Sequence, residues 1–132
     1  MKRELSKVNS CNWYHQTNKE NAVSILKNGF VVTEGGNQRY TEGVYLNSHP
    51  YGLYGDTTLQ CCVKGLFIDF SRDTFGNDWL DFKKSYTYNN YTEFTKKVKN
   101  DYPKVDGILF EVVLVVWKPS LVKAKILQMS FK

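Results

Sequence analysis

The stretch that most constrains the fold is NWYHQTNKENAVSILKNGF, residues 12–30, where a strand, a helix start, a helix and a stop follow without a break. NWYH alternates as a short strand does. TNKE has the spacing of a capping box: Thr17 is predicted to cap, and Glu20, three residues on, to reach back. Ala22, Ile25 and Leu26 then recur at helical spacing. Asn28-Gly29 closes the pattern, because glycine accepts the left-handed backbone that ends many helices. One early helix ahead of a strand-rich remainder implies an α+β fold with a mainly antiparallel sheet.

The remainder reads as follows. Phe30 to Thr33 is predicted as a second short strand, and residues 34–42 as a loop carrying Gly35-Gly36. GVYLN, residues 43–47, is a third strand, and a short helix is expected between Pro50 and Tyr54. CCVKGLFIDF, residues 61–70, is a strand by its β-branched and aromatic content. Helices are predicted over residues 77–84 and 91–100, the second with Phe94 and Val98 one turn apart and a stop at Tyr102-Pro103. Asp106 to Trp117 is a long apolar run taken as the penultimate strand, Lys118-Pro119-Ser120 a turn, and Val122 to Phe131 the last strand. The sum is five to seven strands and two or three short helices. Neither an internal repeat nor a linker divides the chain, so one domain over residues 1–132 is expected.

Composition narrows the function classes. With 42% hydrophobic and 23% charged residues the chain is globular rather than disordered. The net charge is +5, but three of 18 basic residues are Arg (Arg3, Arg39, Arg72) and the Lys are spread. That pattern fits a solvated basic surface better than a dedicated nucleic-acid face. Adjacent Cys61 and Cys62 point to opposite faces of a strand and are poor mutual disulfide partners. Neither CxxC nor Cys/His ligand spacing is present, so no metal is expected. MKRELSKVNS lacks an apolar signal core, and no apolar run reaches membrane-spanning length. The expectation is a cytoplasmic monomer with reduced thiols and no membrane partner.

YHQT, the helix ENAVSILKNGF, GVYLN and the strand GLFIDF together resemble the ADP-ribosyltransferase fold of the poly(ADP-ribose) polymerase and diphtheria-toxin type. Many members read approximately YHGTxxxNAxxILxxGF, then GVYL, then a Tyr-Gly. The tail DGILFEVVLVVWKPSLVKAKIL is similar to the family's closing strands, whereas residues 71–100 match nothing in it. The resemblance implies an ADP-ribosyltransferase-like, mainly antiparallel split β-sheet. It implies NAD as substrate and a macromolecular acceptor, protein or nucleic acid. In a triad written H-Y-E, His15 matches the first member and Tyr45 the second.

The family's chemistry breaks the bond between nicotinamide and ribose through an oxocarbenium-like transition state, as in glycoside hydrolysis. Nicotinamide leaves neutral, so the site must orient the substrate and stabilise positive charge rather than supply an acid. The resemblance then gives His15 to a ribose hydroxyl and the Gln16 backbone, where the family often has Gly, to the nicotinamide amide. Thr17 adds a hydroxyl, and Tyr45 and Tyr54 take the two ring faces. His49 and the run YTYNNY, residues 86–91, are expected at the surface.

The third triad member is the difficulty. Aligned on the closing motif, the Glu position falls on Val113, with Glu111 two residues earlier. On one strand the two would share a face about 6.6 Å apart. Either Glu111 completes the triad or Val113 stands in its place, which the family associates with transfer of a single ADP-ribose or with lost activity. The leading expectation is an NAD-dependent mono-ADP-ribosyltransferase. The alternative is a catalytically inactive member that binds or blocks. An RNA 2′-phosphotransferase of the same broad fold needs an Arg-rich site that three scattered Arg do not supply.

Overall fold

The computed structural model describes residues 3–32, 39–50 and 55–129. Their elements run β1 (Leu5–Thr17), α1 (Lys19–Asn28), β2 (Val44–Asn47), β3 (Thr57–Phe70), α2 (Asn77–Lys84), α3 (Tyr91–Asp101), β4 (Gly107–Phe110), β5 (Val113–Val116) and β6 (Val122–Met129), with a 3-10 turn at Pro119–Leu121. The fold is α+β. No helix among the described residues is long and apolar enough to cross a membrane.

The strands form one sheet in the order β1-β2-β5-β4-β3-β6, antiparallel except for the parallel pair β3–β4. β1 also pairs with β3 over most of its length, so β3, β1, β2, β5 and β4 close into a ring. The length of β3 makes this feasible: along its other edge Thr57–Val63 pairs with β6 and Phe67–Phe70 with β4. Closure pairs strand edges that would otherwise be open. The seam between β1 and β2 is narrow, with a single registered pair, Tyr14 with Asn47.

Alternation along the strands sorts side chains into two clusters. Val44 and Leu46 of β2 and Leu114 and Val116 of β5 enter the first, which also holds Ala22 of α1. Tyr45, Val113 and Val115 turn to the other face and join the second, covered by Trp79 of α2 and by Phe94 and Val98 of α3. Trp79 is the hub there, with the rings of Phe70, Phe94 and Phe110 centred 5.3–5.8 Å from its own.

One irregularity in β1 decides which way its second half faces. Ser10 is opposite Val63 and Trp13 opposite Cys61, so Cys11 and Asn12 together face Cys62. This is a β-bulge, two residues against one. It lets Val8 and Trp13, an odd number of residues apart, both reach the first cluster. Cys11 and Cys62 are joined by a disulfide across the bulge, while Cys61 is a buried free thiol. The expectation of reduced thiols is therefore corrected for two of the three cysteines. Opposing the bulge brings the two sulfurs together, and the spacing of the cysteines alone carried no sign of that contact.

Other expectations shift locally. The helix cap is Asn18, not Thr17: Asn18 Oδ1 accepts from the Asn21 N–H at 2.8 Å, while Thr17 is the last residue of β1. Gly29 stops α1 as expected, with φ 83° and its N–H donating to the Ile25 carbonyl. Phe30–Val32 form no strand, although Phe30 packs against the first cluster. The run Asp106 to Trp117 is not one strand but the hairpin β4–β5, turning at Glu111-Val112. The helix expected between Pro50 and Tyr54 lies outside the described residues.

Candidate functional site

His15 lies near the end of β1, opposite Leu59 of β3 and on the face that Trp13 shares. Its ring meets Phe30 edge-on, centroids 5.1 Å apart. Extending the β1–β2 register would set Gln16 opposite Tyr45, yet no such pair forms. Instead His15 Nδ1 stands 3.1 Å from the Tyr45 carbonyl oxygen. A carbonyl only accepts, so Nδ1 carries the proton and donates. Burial lowers the pKa of the ring and outweighs the Tyr45 carbonyl, which favours the charged form. At neutral pH the imidazole is thus neutral, and Nε2 presents a lone pair. His15 is an acceptor at the narrow seam of the ring.

Gln16 points to the other face, opposite Thr58, and is 8% exposed. Its Nε2 donates to Thr58 Oγ1 at 3.4 Å, while its Oε1 is buried without a partner. An unsatisfied buried acceptor costs about 1–3 kcal/mol, which a donating ligand would relieve. Thr17 is also buried. Beside it passes Gly55, with φ 146°; a Cβ there would lie 2.2 Å from the Thr17 carbonyl oxygen, so the approach requires glycine.

Tyr45 reaches His15 through its main chain. Its ring is on the second-cluster side, stacked on Tyr40 at 6.2 Å between centroids. Its hydroxyl donates to the Thr41 carbonyl at 2.6 Å and accepts the Tyr40 N–H at 2.8 Å. Burial raises its pKa, so the phenol stays protonated. Tyr54 lies outside the described residues.

Glu111 is exposed at the tip of the β4–β5 hairpin, and Val113 begins β5 opposite Asn47. The two do not share a strand face, because a turn separates them. Glu111 instead lines a cleft of about 390 Å³ with Arg39, Tyr40, Trp79 and Phe110, on the second-cluster side. Its rim carries Phe75, 88% exposed. Sequence reasoning missed this cleft; an aromatic residue in the polar turn Asp73–Gly76 was the available signal. His49 is exposed, as expected, but Tyr86, Tyr88 and Tyr91 pack their rings against the second cluster.

The structure thus brings His15, Gln16, Thr17 and the Tyr45 carbonyl to one end of β1, and puts the Tyr45 ring and Glu111 across the sheet. Comparisons with models of known protein families, with curated proteins and with solved structures found no match to this chain.

Proposed function

We propose that the chain is an ADP-ribosyltransferase-like domain that binds NAD at the end of β1 and transfers single ADP-ribose units to a protein or nucleic acid. The observation that carries this reading is the state of His15: neutral, with Nδ1 committed to the Tyr45 carbonyl and Nε2 left as an acceptor. A ribose hydroxyl is a donor that such a nitrogen can hold and orient. Orientation suits a reaction whose leaving group departs neutral and whose transition state is oxocarbenium-like. Tyr45 then acts through its carbonyl, since its ring and hydroxyl are engaged elsewhere.

A second reading, NAD binding without transfer, is favoured by the hairpin. Val113, which the resemblance aligns with the family's carboxylate, lines the same cleft as Glu111 on the second-cluster side, so both lie across the sheet from the His15 ring. Calorimetry with NAD and nicotinamide release by the purified chain separate the two. Binding is expected to fall at least about tenfold in His15→Ala, the scale of a lost hydrogen bond to a buried group. If transfer occurs through Glu111, Glu111→Gln lowers turnover by about 10²-fold. If the chain binds NAD but releases no nicotinamide until Val113→Glu is introduced, the binding reading holds. Absence of any NAD binding by the parent protein overturns both.

A further inference from the structure

The bulge in β1 and the disulfide across it sit four residues before His15. Sheet side chains alternate with period two, so a one-residue change of register sends every following side chain to the opposite face. Ahead of the bulge the even positions point to the first cluster, as Val8 does; beyond it the odd positions do, as Trp13 does. Without the extra residue His15 would face away from Phe30 and from the Tyr45 carbonyl. The bulge is what presents His15 at the seam.

Three attachments hold the bulge in place. Gln60 Nε2 donates to the Cys11 carbonyl at 2.8 Å, and the Asn12 N–H donates to Ser10 Oγ at 3.0 Å. Both are exposed, where a hydrogen bond is worth least. The third is the Cys11–Cys62 disulfide, with Cys11 itself exposed. On the far side of β1 the seam with β2 offers one residue pair, so beyond the bulge the present register rests on the pairs with β3 from Trp13–Cys61 to Thr17–Thr57 and on the buried Trp13 ring.

We propose that the Cys11–Cys62 disulfide is a redox latch that sets whether His15 is presented at the seam. A dithiol reductant breaks the bond between the two sulfurs. Each sulfur takes one electron and one proton, and the reductant closes to its own disulfide. The freed bulge migrates or is lost, β1 changes register beyond Ser10, and His15 leaves the Tyr45 carbonyl. The neighbouring thiol does not short-circuit the device: Cys61 points to the opposite face, and burial pushes its pKa up to about 12, so it provides no attacking thiolate. As a control of ligand binding the latch rests on the reading of His15 given above; as a structural switch it stands apart from it.

The test compares oxidised protein, the same protein reduced with dithiothreitol, and Cys11→Ser. Amide exchange of residues 13–17 and the imidazole nitrogen shifts of His15 report the latch, and NAD calorimetry reports the function. Reduction is expected to speed exchange at residues 13–17 at least about tenfold, a local opening, with β4 and β5 unchanged. The signature of protonated Nδ1 bound to a carbonyl disappears, and Cys11→Ser behaves as reduced protein does. Should Cys11→Ser fail to fold, the reduced wild-type chain carries the comparison. If exchange and imidazole shifts respond while neither form binds NAD, the latch stands and the proposed function fails. Unchanged exchange and shifts on reduction overturn the latch, as does loss of protection throughout the chain, which would make the disulfide a global staple.

Discussion

Acid should destabilise this protein through His15. The ring is neutral in the folded chain because burial lowers its pKa below the value of 6.5 that the unfolded chain regains. Between those two values the unfolded state binds a proton that the folded state refuses, so stability rises with pH across the window. The contribution is complete above about pH 6.5 and is lost as pH falls toward the folded value. One group gives a slope of at most about 1.4 kcal/mol per pH unit. Below the folded pKa the loss levels off, since both states are then protonated. Two shifted carboxylates act elsewhere. Partial burial pushes Asp69 up, but hydrogen bonds from Ser6 and Ser71 hold it below 3.8, and Lys97 with the Asn89 amide holds Glu93 below 4.5. Both therefore lose their contribution only at lower pH. His15→Gln removes the titration and keeps an N–H for the Tyr45 carbonyl. Urea unfolding followed by tryptophan fluorescence from about pH 7.5 to 5 should show the slope in the parent and not in His15→Gln. NAD affinity should fall in the same window, because protonation consumes the Nε2 lone pair. Equal slopes in parent and variant would refute the burial of His15 as the cause, and with it the neutral imidazole on which the proposed site depends.

Asn18→Ala should cost about 0.5–2 kcal/mol in thermal or urea unfolding, because its side chain satisfies the Asn21 N–H. An equal loss in Glu20→Ala would restore the capping box centred on Thr17. Tyr45→Phe should destabilise the fold by about 1–3 kcal/mol, since the Tyr40 N–H loses its acceptor and the Thr41 carbonyl its donor. The His15 contact runs through the Tyr45 carbonyl, so calorimetry should show NAD affinity in that variant close to the parent's.

Much of the fold was legible because its signals are local. Helix α3 follows from the one-turn spacing of Phe94 and Val98 and from the Tyr-Pro stop at its end, and Gly29 ends α1 where a positive φ is required. β2 and β3 were visible in their branched and aromatic residues. The misses share a cause: each depends on a partner far along the chain. A single apolar run covers β4 and β5, and nothing within FEVV marks a turn by composition, since neither Gly, Asn nor Pro is present. The hairpin exists because Leu109 pairs with Leu114 and because β4 must also lie parallel to β3. Capping moved by one residue because Thr17 is claimed by Thr57 across β3.

The same non-locality governs the site. YHQT could be read as a motif, but whether His15 faces the seam is set upstream, where β1 carries one residue more than β3 opposite Cys62. Alternation read from Trp13 onward gives the correct face for His15; alternation read from Val8 onward gives the wrong one. A sequence with two incompatible phases of a period-two pattern contains a bulge between them, and here the phase changes between Val8 and Trp13. The residues available for the change include Cys11, whose side chain can be covalently fixed to the opposing strand. Position of the bulge and position of the cross-link therefore coincide for a physical reason. A two-against-one irregularity near a single-pair seam is a weak point of the ring, and a covalent bond there restricts the strand to the one phase in which His15 donates to Tyr45 and keeps Nε2 as an acceptor.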